Sequence, residues 1–547
     1  MKYALTLALL FALSFGMVTQ SFRAQSTAGL WADDYDLLFD PARITEIQGS
    51  RLWTNLSNFM TSYEDVFDNG SVPFILIGGT SKLGSIYPAL MYDRSNFKNA
   101  LPTGLDDVNG DEIYGDADVT TIDWIDSDGN GIYDQRIVTE RTASAYNYEA
   151  ENDMYVAIAK VFGNKRIGLG FMHNEYKNTD TDPDNNFTFD TTDYDMVSGL
   201  TTFEAHAGFG GDDVVSGSSN EVTFSAWLDK EQTRFGLQAD FALLKMKDYG
   251  LILGDTAVHT DPADTTVFHT AVNVLDSTDI PQSGMDINVL LKCHHNYNEN
   301  AQGRFYLGIG MASWDYGDGA MSYYRNGRLD AFTTFLWDTT NVWTRHTGSY
   351  GSKEISLGTR QLFTVSERLK FGIGLFFSTG SWSDSTVAMD TTLAVEIYDD
   401  NDGISFDPDD YVQTSWSSES WMTRRTGATH ELSIPVGLEF TLANPVVFRL
   451  GAEHTYTIDD YTVVEQQIAY EPMRVRTVDG TGAVTEIMID PGPAPIGSDE
   501  TVYEKTPMTN YYYGIGWKAT DNLQIDLMGF AKLTDLTNWK LSATLKF

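Results

Sequence analysis

An all-β chain closed into a transmembrane antiparallel barrel of about fourteen strands, with a short amino-terminal plug and long external loops, is the fold this sequence predicts. Three observations predict it: a strictly alternating carboxyl terminus, an apolar leader in a chain without a spanning helix, and short turns that alternate with long connections. In the closing stretch Trp539, Leu541, Ala543, Leu545 and Phe547 share one face, and Lys540, Ser542, Thr544 and Lys546 share the other. Period-two alternation makes one apolar surface and one wet one. The stretch is about the length, roughly ten residues, that a tilted strand needs to cross a bilayer.

At the other end, Lys2 precedes an apolar run, Ala4 to Leu13, too short for a membrane helix and suited to a signal peptide. Small residues at Ala24 and Ser26 place cleavage after Ser26, so residues 1–26 read as leader. No other run approaches the roughly 18 apolar residues of a spanning helix. A chain that spans a membrane without helices must be a closed barrel, which leaves no backbone group unpaired in lipid. The composition, 42% hydrophobic and 13% aromatic over 547 residues, fits strands with one wet face. A net charge of -41 excludes nucleic acid as a partner and suits a surface that meets divalent cations. The single cysteine, Cys293, forms no internal disulfide.

Residues 27–70 do not alternate. Their apolar residues fall at mixed three- and four-residue spacings, with Asp40-Pro41-Ala42 opening one short helical piece. This segment reads as a plug or a periplasmic piece, and residues 71–547 as the barrel. Six short turns, near Asn164, Glu231, Asn300, Glu367, Asn444 and Asp521, each separate two alternating runs. Six hairpins, one opening strand within Val72–Tyr92 and the closing strand make fourteen. The even number puts both termini on the side of the short turns, the periplasm, with the long connections outside.

The outward positions are apolar, as in Phe235/Leu237/Ala239/Phe241 and Phe371/Ile373/Leu375/Phe377. The inward positions hold mixed charges, among them Asp240, Lys292, Arg360, Glu439, Arg449, Glu453 and Asp526. Such charges either line a path or pair to hold barrel and plug together, and buried charges are normally paired. Pro435 falls mid-strand and removes a ladder hydrogen bond, which predicts a kink or gap in the wall.

The first external connection carries ten acids and no base over residues 106–134. Within it Asp126, Asp128, Asn130 and Asp134, with the Ile132 carbonyl, stand at the odd spacing of a calcium loop, and Gly131 permits the turn. Position twelve is Ile137, so the bidentate ligand of an EF-hand is missing. The stretch is either a weak Ca²⁺ site of extracellular type or a solvated acidic loop. Asp180/Asp182/Asp184 and Asp399–Gly403 echo it less well. On a strand, Cys293-His294-His295 splits its ligands between two faces and makes no metal site. No nucleophile motif or phosphate-cradling loop is present, and no enzyme activity is expected.

Phe39-Asp40-Pro41-Ala42, the hairpin Asn444–Glu453 and the closing strand Trp539–Phe547 resemble motifs of the FadL-type outer-membrane transporters, with Asp40 where that family has Asn. The resemblance implies a lumenal plug and passive diffusion of an apolar compound through a lateral opening. Relatives of the same fold serve as accessory barrels for surface proteins, which is the second expectation. The expected surroundings are outer-membrane lipid and lipopolysaccharide, with a small hydrophobic ligand and no cofactor beyond a possible structural Ca²⁺.

Overall fold

The computed structural model describes residues 20–55, 75–100, 116–126, 132–144, 146–181, 187–195, 200–260, 269–331, 334–400, 407–490, 492–494, 500–530 and 539–547. Its strands, in chain order, are β1 (Arg51–Asn55), β2 (Ile75–Thr80), β3 (Ile86–Ala100), β4 (Asp116–Ile125), β5 (Gln135–Ser144), β6 (Tyr146–Phe162), β7 (Lys165–Thr181), β8 (Phe187–Asp195), β9 (Leu200–Lys230) and β10 (Thr233–Thr260). They continue with β11 (His269–Asn298), β12 (Ala301–Ala331), β13 (Thr334–Ser366), β14 (Leu369–Asp399), β15 (Tyr411–Ala443), β16 (Val446–Asp479), β17 (Val484–Ile489), β18 (Glu500–Lys518), β19 (Leu523–Phe530) and β20 (Trp539–Lys546). No described helix is long and apolar enough to cross a membrane.

Sixteen of the described strands close a ring: β1, β2, β3, β6, β7, β9 through β16, β18, β19 and β20. Every pairing is antiparallel, and β1 closes the seam between β20 and β2. Ser50 and Phe547 exchange two backbone hydrogen bonds there, 3.0 and 3.3 Å. A closed ring leaves no sheet edge at this level.

All six expected hairpins are present, with the turns between Phe162 and Lys165, Lys230 and Thr233, Asn298 and Ala301, Ser366 and Leu369, Ala443 and Val446, and Lys518 and Leu523. The expected count of fourteen is corrected to sixteen for two reasons. The opening stretch is two strands, folded at Ser81–Ser85 with Leu83 bridged to Ile86. A further strand, β1, lies inside the segment assigned to the plug; at five residues it is too short to show a period.

The long connections are also largely strand. β9 to β16 run 28 to 34 residues each. At about 3.3 Å per residue this is on the order of 100 Å of extended chain, several times the hydrocarbon thickness. β4, β5 and β8 widen the sheet beside β9, and β17 folds back on β16. On β10 the outward face is apolar from Phe235 to Leu243 and then turns to Lys245 and Lys247, a run of roughly 26 Å along the strand. Its Phe235, Phe241 and Leu243 stay 41–51% exposed, as side chains that face lipid do.

Candidate functional site: a plugged lumen

Residues 20–50 fill the ring at its short-turn end. Helix α1 (Phe22–Ser26) is capped by Ser21, whose hydroxyl accepts from Ala24 N at 3.1 Å, and Gly29 ends the turn at φ +75°. A 3₁₀ turn over Pro41–Glu46 begins with proline at its first position, where no N–H is missed. Leu38, Ile44, Ile47 and Tyr35 pack on wall residues Trp53, Leu76, Met91 and Tyr155, all buried. The Tyr155 hydroxyl donates to the Leu38 carbonyl at 2.6 Å.

Wall glycines let the plug backbone approach. A Cβ on Gly168 would stand 2.3 Å from both Ala42 N and Pro41 C, so β7 carries no side chain where the Pro41-Ala42 turn lies against it.

The inward charges mostly join plug to wall. Asp40 accepts from Lys292 and from Trp227 Nε1, each at 2.9 Å, and Ala42 N donates to Ser225 at 2.6 Å. Glu46 is met by Arg43 of the plug and by Arg166 and Arg234 of the wall. Arg23 donates two bonds of 2.7 Å to Glu439, which Lys370 and Arg449 also approach; Arg449 reaches Asp526 at 2.6 Å. Asp240 accepts from Gln238, and Glu453 accepts from Ser433 at 2.6 Å, so these two bond within the wall. Arg360 lies over the rings of Tyr306 and Phe376 at 5.3 and 5.1 Å. Arg23, Glu46, Trp227 and Ser225 have no local sequence signal; only inward parity marks the last two.

An apolar seam runs beside this network. Leu30 and Trp31 of the plug pack on Leu362, with Gly372 and Gly437 beneath them. Next to it the β14–β15 ladder is interrupted: it pairs Ile373 with Val436 and resumes at Phe376 and Ser433. Gly374 and Pro435 face each other in that gap, and a Cβ on Gly374 would meet Pro435 Cγ at 2.7 Å. Below the plug a cavity of about 470 Å³ opens at the short turns, lined by mixed charges, among them Asp33, Asp34 and Glu439 beside Arg43, Arg304 and Lys370.

The expected acidic sites lie apart from the lumen, and the Cys293–His295 stretch is split across the wall. Asp126, Ile132 and Asp134 flank the tip of the β4–β5 hairpin, whereas Asp128 and Asn130 are outside the described residues. Asp399, Asp400 and Asp410 bring carboxylate oxygens within 4.8 Å of one another, and Asp410 is occupied by the backbone N–H groups of Asp400 and Asp407. His294 is buried against Trp227, ring centroids 4.8 Å apart, with Cys293 and His295 on the opposite face.

No protein-family model matches the chain, and no curated protein does. Among solved structures the chain is similar to the TodX monoaromatic hydrocarbon channel, at 10% identity and a TM-score of 0.30, covering 97% of this chain and 99% of that one. It is similar to the ferric-catecholate import receptor Fiu from E. coli K12, at 9% identity and a TM-score of 0.28, covering 92% and 82%. It is likewise similar to the FrpB iron transporter from Neisseria meningitidis, at 10% identity and 0.26, covering 94% and 83%. Likenesses this distant assign this barrel no cargo.

Proposed function

We propose that this chain is an outer-membrane barrel that passes small hydrophobic compounds by passive diffusion, with release through the wall near Pro435. The observation that supports this reading most is the apolar seam of Leu30, Trp31 and Leu362, which lies over Gly372 next to the point where the β14–β15 ladder is interrupted. Outside that point Ile373, Leu375 and Ile434 belong to the apolar belt, so an oily solute leaves one apolar surface for another. The belt sits in outer-membrane lipid, with lipopolysaccharide on the side of the long strands and the short turns in the periplasm.

The decisive measurement is uptake of a small apolar tracer by cells that carry the barrel, against cells that lack it. The wild-type barrel speeds uptake, and Gly374→Val, which fills the interruption, slows it several-fold. Equal uptake with and without the barrel would overturn the reading.

One observation favours a second reading, a surface or accessory barrel that conducts nothing. The eight long strands carry the wall far beyond the apolar belt, and a plug held by many ion pairs seals the lumen beneath them. Equal uptake combined with loss of a surface phenotype on trimming that wall would select it.

A further inference from the structure

We propose that His294, Arg304 and Arg360 form a binding site for a compact phosphate-type oxyanion near the short-turn end of the lumen. This inference is independent of what the barrel conducts. Arg304 on β12 stands directly opposite His294 on β11 and directly opposite Arg360 on β13. All three point inward, and side chains so paired start about 4.5–5.5 Å apart. The Tyr306 ring, two residues along β12 from Arg304, neighbours both of the others: its centroid lies 6.3 Å from that of His294 and 5.3 Å from the Arg360 guanidinium carbon.

The three have something in common that their neighbours lack. Arg23, Arg43, Arg166, Arg234, Lys292 and Arg449 each meet a carboxylate. Among the described residues neither Arg304 nor Arg360 meets one. Arg304 Nε donates to Gln302 at 2.8 Å. Arg360 Nε is enclosed and has no hydrogen-bond partner, and the same is true of Nε2 of His294, a residue only 4% exposed. A chain with 77 acids and 36 bases has thus left two adjacent inward arginines without a counter-charge.

Like charges directly across a ladder repel, and an enclosed donor without an acceptor costs free energy. One multivalent oxyanion answers both. Guanidinium forks suit phosphate oxygens, and an imidazole N–H can take a third. Three donors from three strands suit a tetrahedral anion with several acceptor oxygens. Of the three, Arg304 reaches the 470 Å³ cavity that opens among the short turns, where Arg43 of the plug and the acids Asp33, Asp34, Glu367 and Glu439 also line it; His294 and Arg360 lie deeper. The anion is either free phosphate or the phosphodiester of a lipid headgroup at that membrane face.

The test uses the purified full-length barrel in detergent, exchanged into phosphate-free buffer and titrated calorimetrically. One arm adds inorganic phosphate, and the other adds glycerophosphoglycerol, a deacylated lipid headgroup. Saturation by the first assigns a free anion, and saturation by the second alone assigns a lipid. Arg304→Gln and Arg360→Gln each weaken binding at least tenfold, while Arg368→Gln, on the cavity rim, leaves it unchanged. Should the glutamine variants fail to fold, the wild type decides: phosphate at low millimolar concentration raises its unfolding temperature saturably, whereas general salt stabilisation would grow without saturating. No saturation by either probe up to about 10 mM, no such rise, or wild-type affinity in Arg360→Gln overturns the site.

Discussion

The eight strands β9 to β16 build two different walls out of one continuous ladder. Near the short turns β14 alternates sharply, with Gly372 and Gly374 buried and Ile373 and Leu375 exposed; farther out, from Asp390 to Asp399, every position is half-buried. The lower wall has an apolar outside and an inside pressed on the plug. The upper wall is held by cross-strand contacts that need no dry face, such as Ser277 to Ser322 at 2.7 Å and Arg474 over the Trp416 ring at 4.5 Å. The contrast separates two requirements. Backbone pairing needs only a neighbouring strand, whereas fixing the register needs a face that cannot be turned over. The lower wall supplies that register, and the upper wall inherits it.

The largest break in this contrast is expected from Glu439→Ala. It leaves Arg23 and Arg449 without their shared carboxylate, and removing one partner of a buried pair costs about 3–5 kcal/mol. The plug should loosen while the upper wall stays intact, read as higher single-channel conductance and faster protease cleavage within residues 20–50. Unchanged conductance would show that the plug does not depend on this pair. A smaller effect of the same kind is expected from Gly168→Ala. The new methyl group meets plug backbone rather than a side chain that could swing away, for an overpacking cost of about 1–3 kcal/mol. Thermal unfolding of the purified barrel measures it.

In the upper wall, His206 bonds Asp190 at 2.6 Å and Asp255 at 3.1 Å, and its pKa is raised, first by the Asp190 hydrogen bond. A raised pKa makes this contribution complete below the ordinary histidine value, near 6.5, and loses it as pH rises through the folded one. All three side chains are more than a third exposed, so the effect stays within about 1 kcal/mol. Hydrogen exchange in β8 should quicken modestly as pH rises, beyond the intrinsic dependence, and the increment should vanish in His206→Gln. The smallest effect is expected from trimming. Thr391 pairs with Ser418, so replacing residues 392–417 by Asn-Gly keeps the register of β14 and β15. Heat-modifiable migration of the barrel should be unchanged, and its loss would show that the upper wall helps hold the lower one.

The lower wall was readable in the sequence because lipid outside and plug inside impose a strict period of two. All six hairpins and the inward parity of Lys292, Arg360, Glu439 and Arg449 came from that period. The upper strands read as loops in the sequence because a wall wet on both sides has no apolar face to repeat. Partners were beyond reach for another reason: Arg23 meets Glu439 across 416 positions and Asp40 meets Lys292 across 252. Alternation says where a charge points and nothing about which distant charge it meets. Residues 21–26, expected to belong to the leader, include Ala24 and Ser26, which are buried beside the lumen wall. Cleavage after Ser26 would remove Arg23 from Glu439, whereas cleavage upstream of Ser21 would keep the pair; the intact mass of the protein from the membrane tests this, with residues 21–26 expected to be retained.

The seam carries a consequence for assembly. β1 joins β20 from Arg51 with Lys546 to Asn55 with Ser542, so the ring closes only when the last strand to be made meets the first. The plug leads directly into β1 through Gly49 and Ser50 and therefore travels with that first strand. Contacts so far apart in sequence are the slowest to form. Until they do, the growing sheet is an open sickle with its own stopper tethered at one edge, and the act of sealing the cylinder is also the act of corking it.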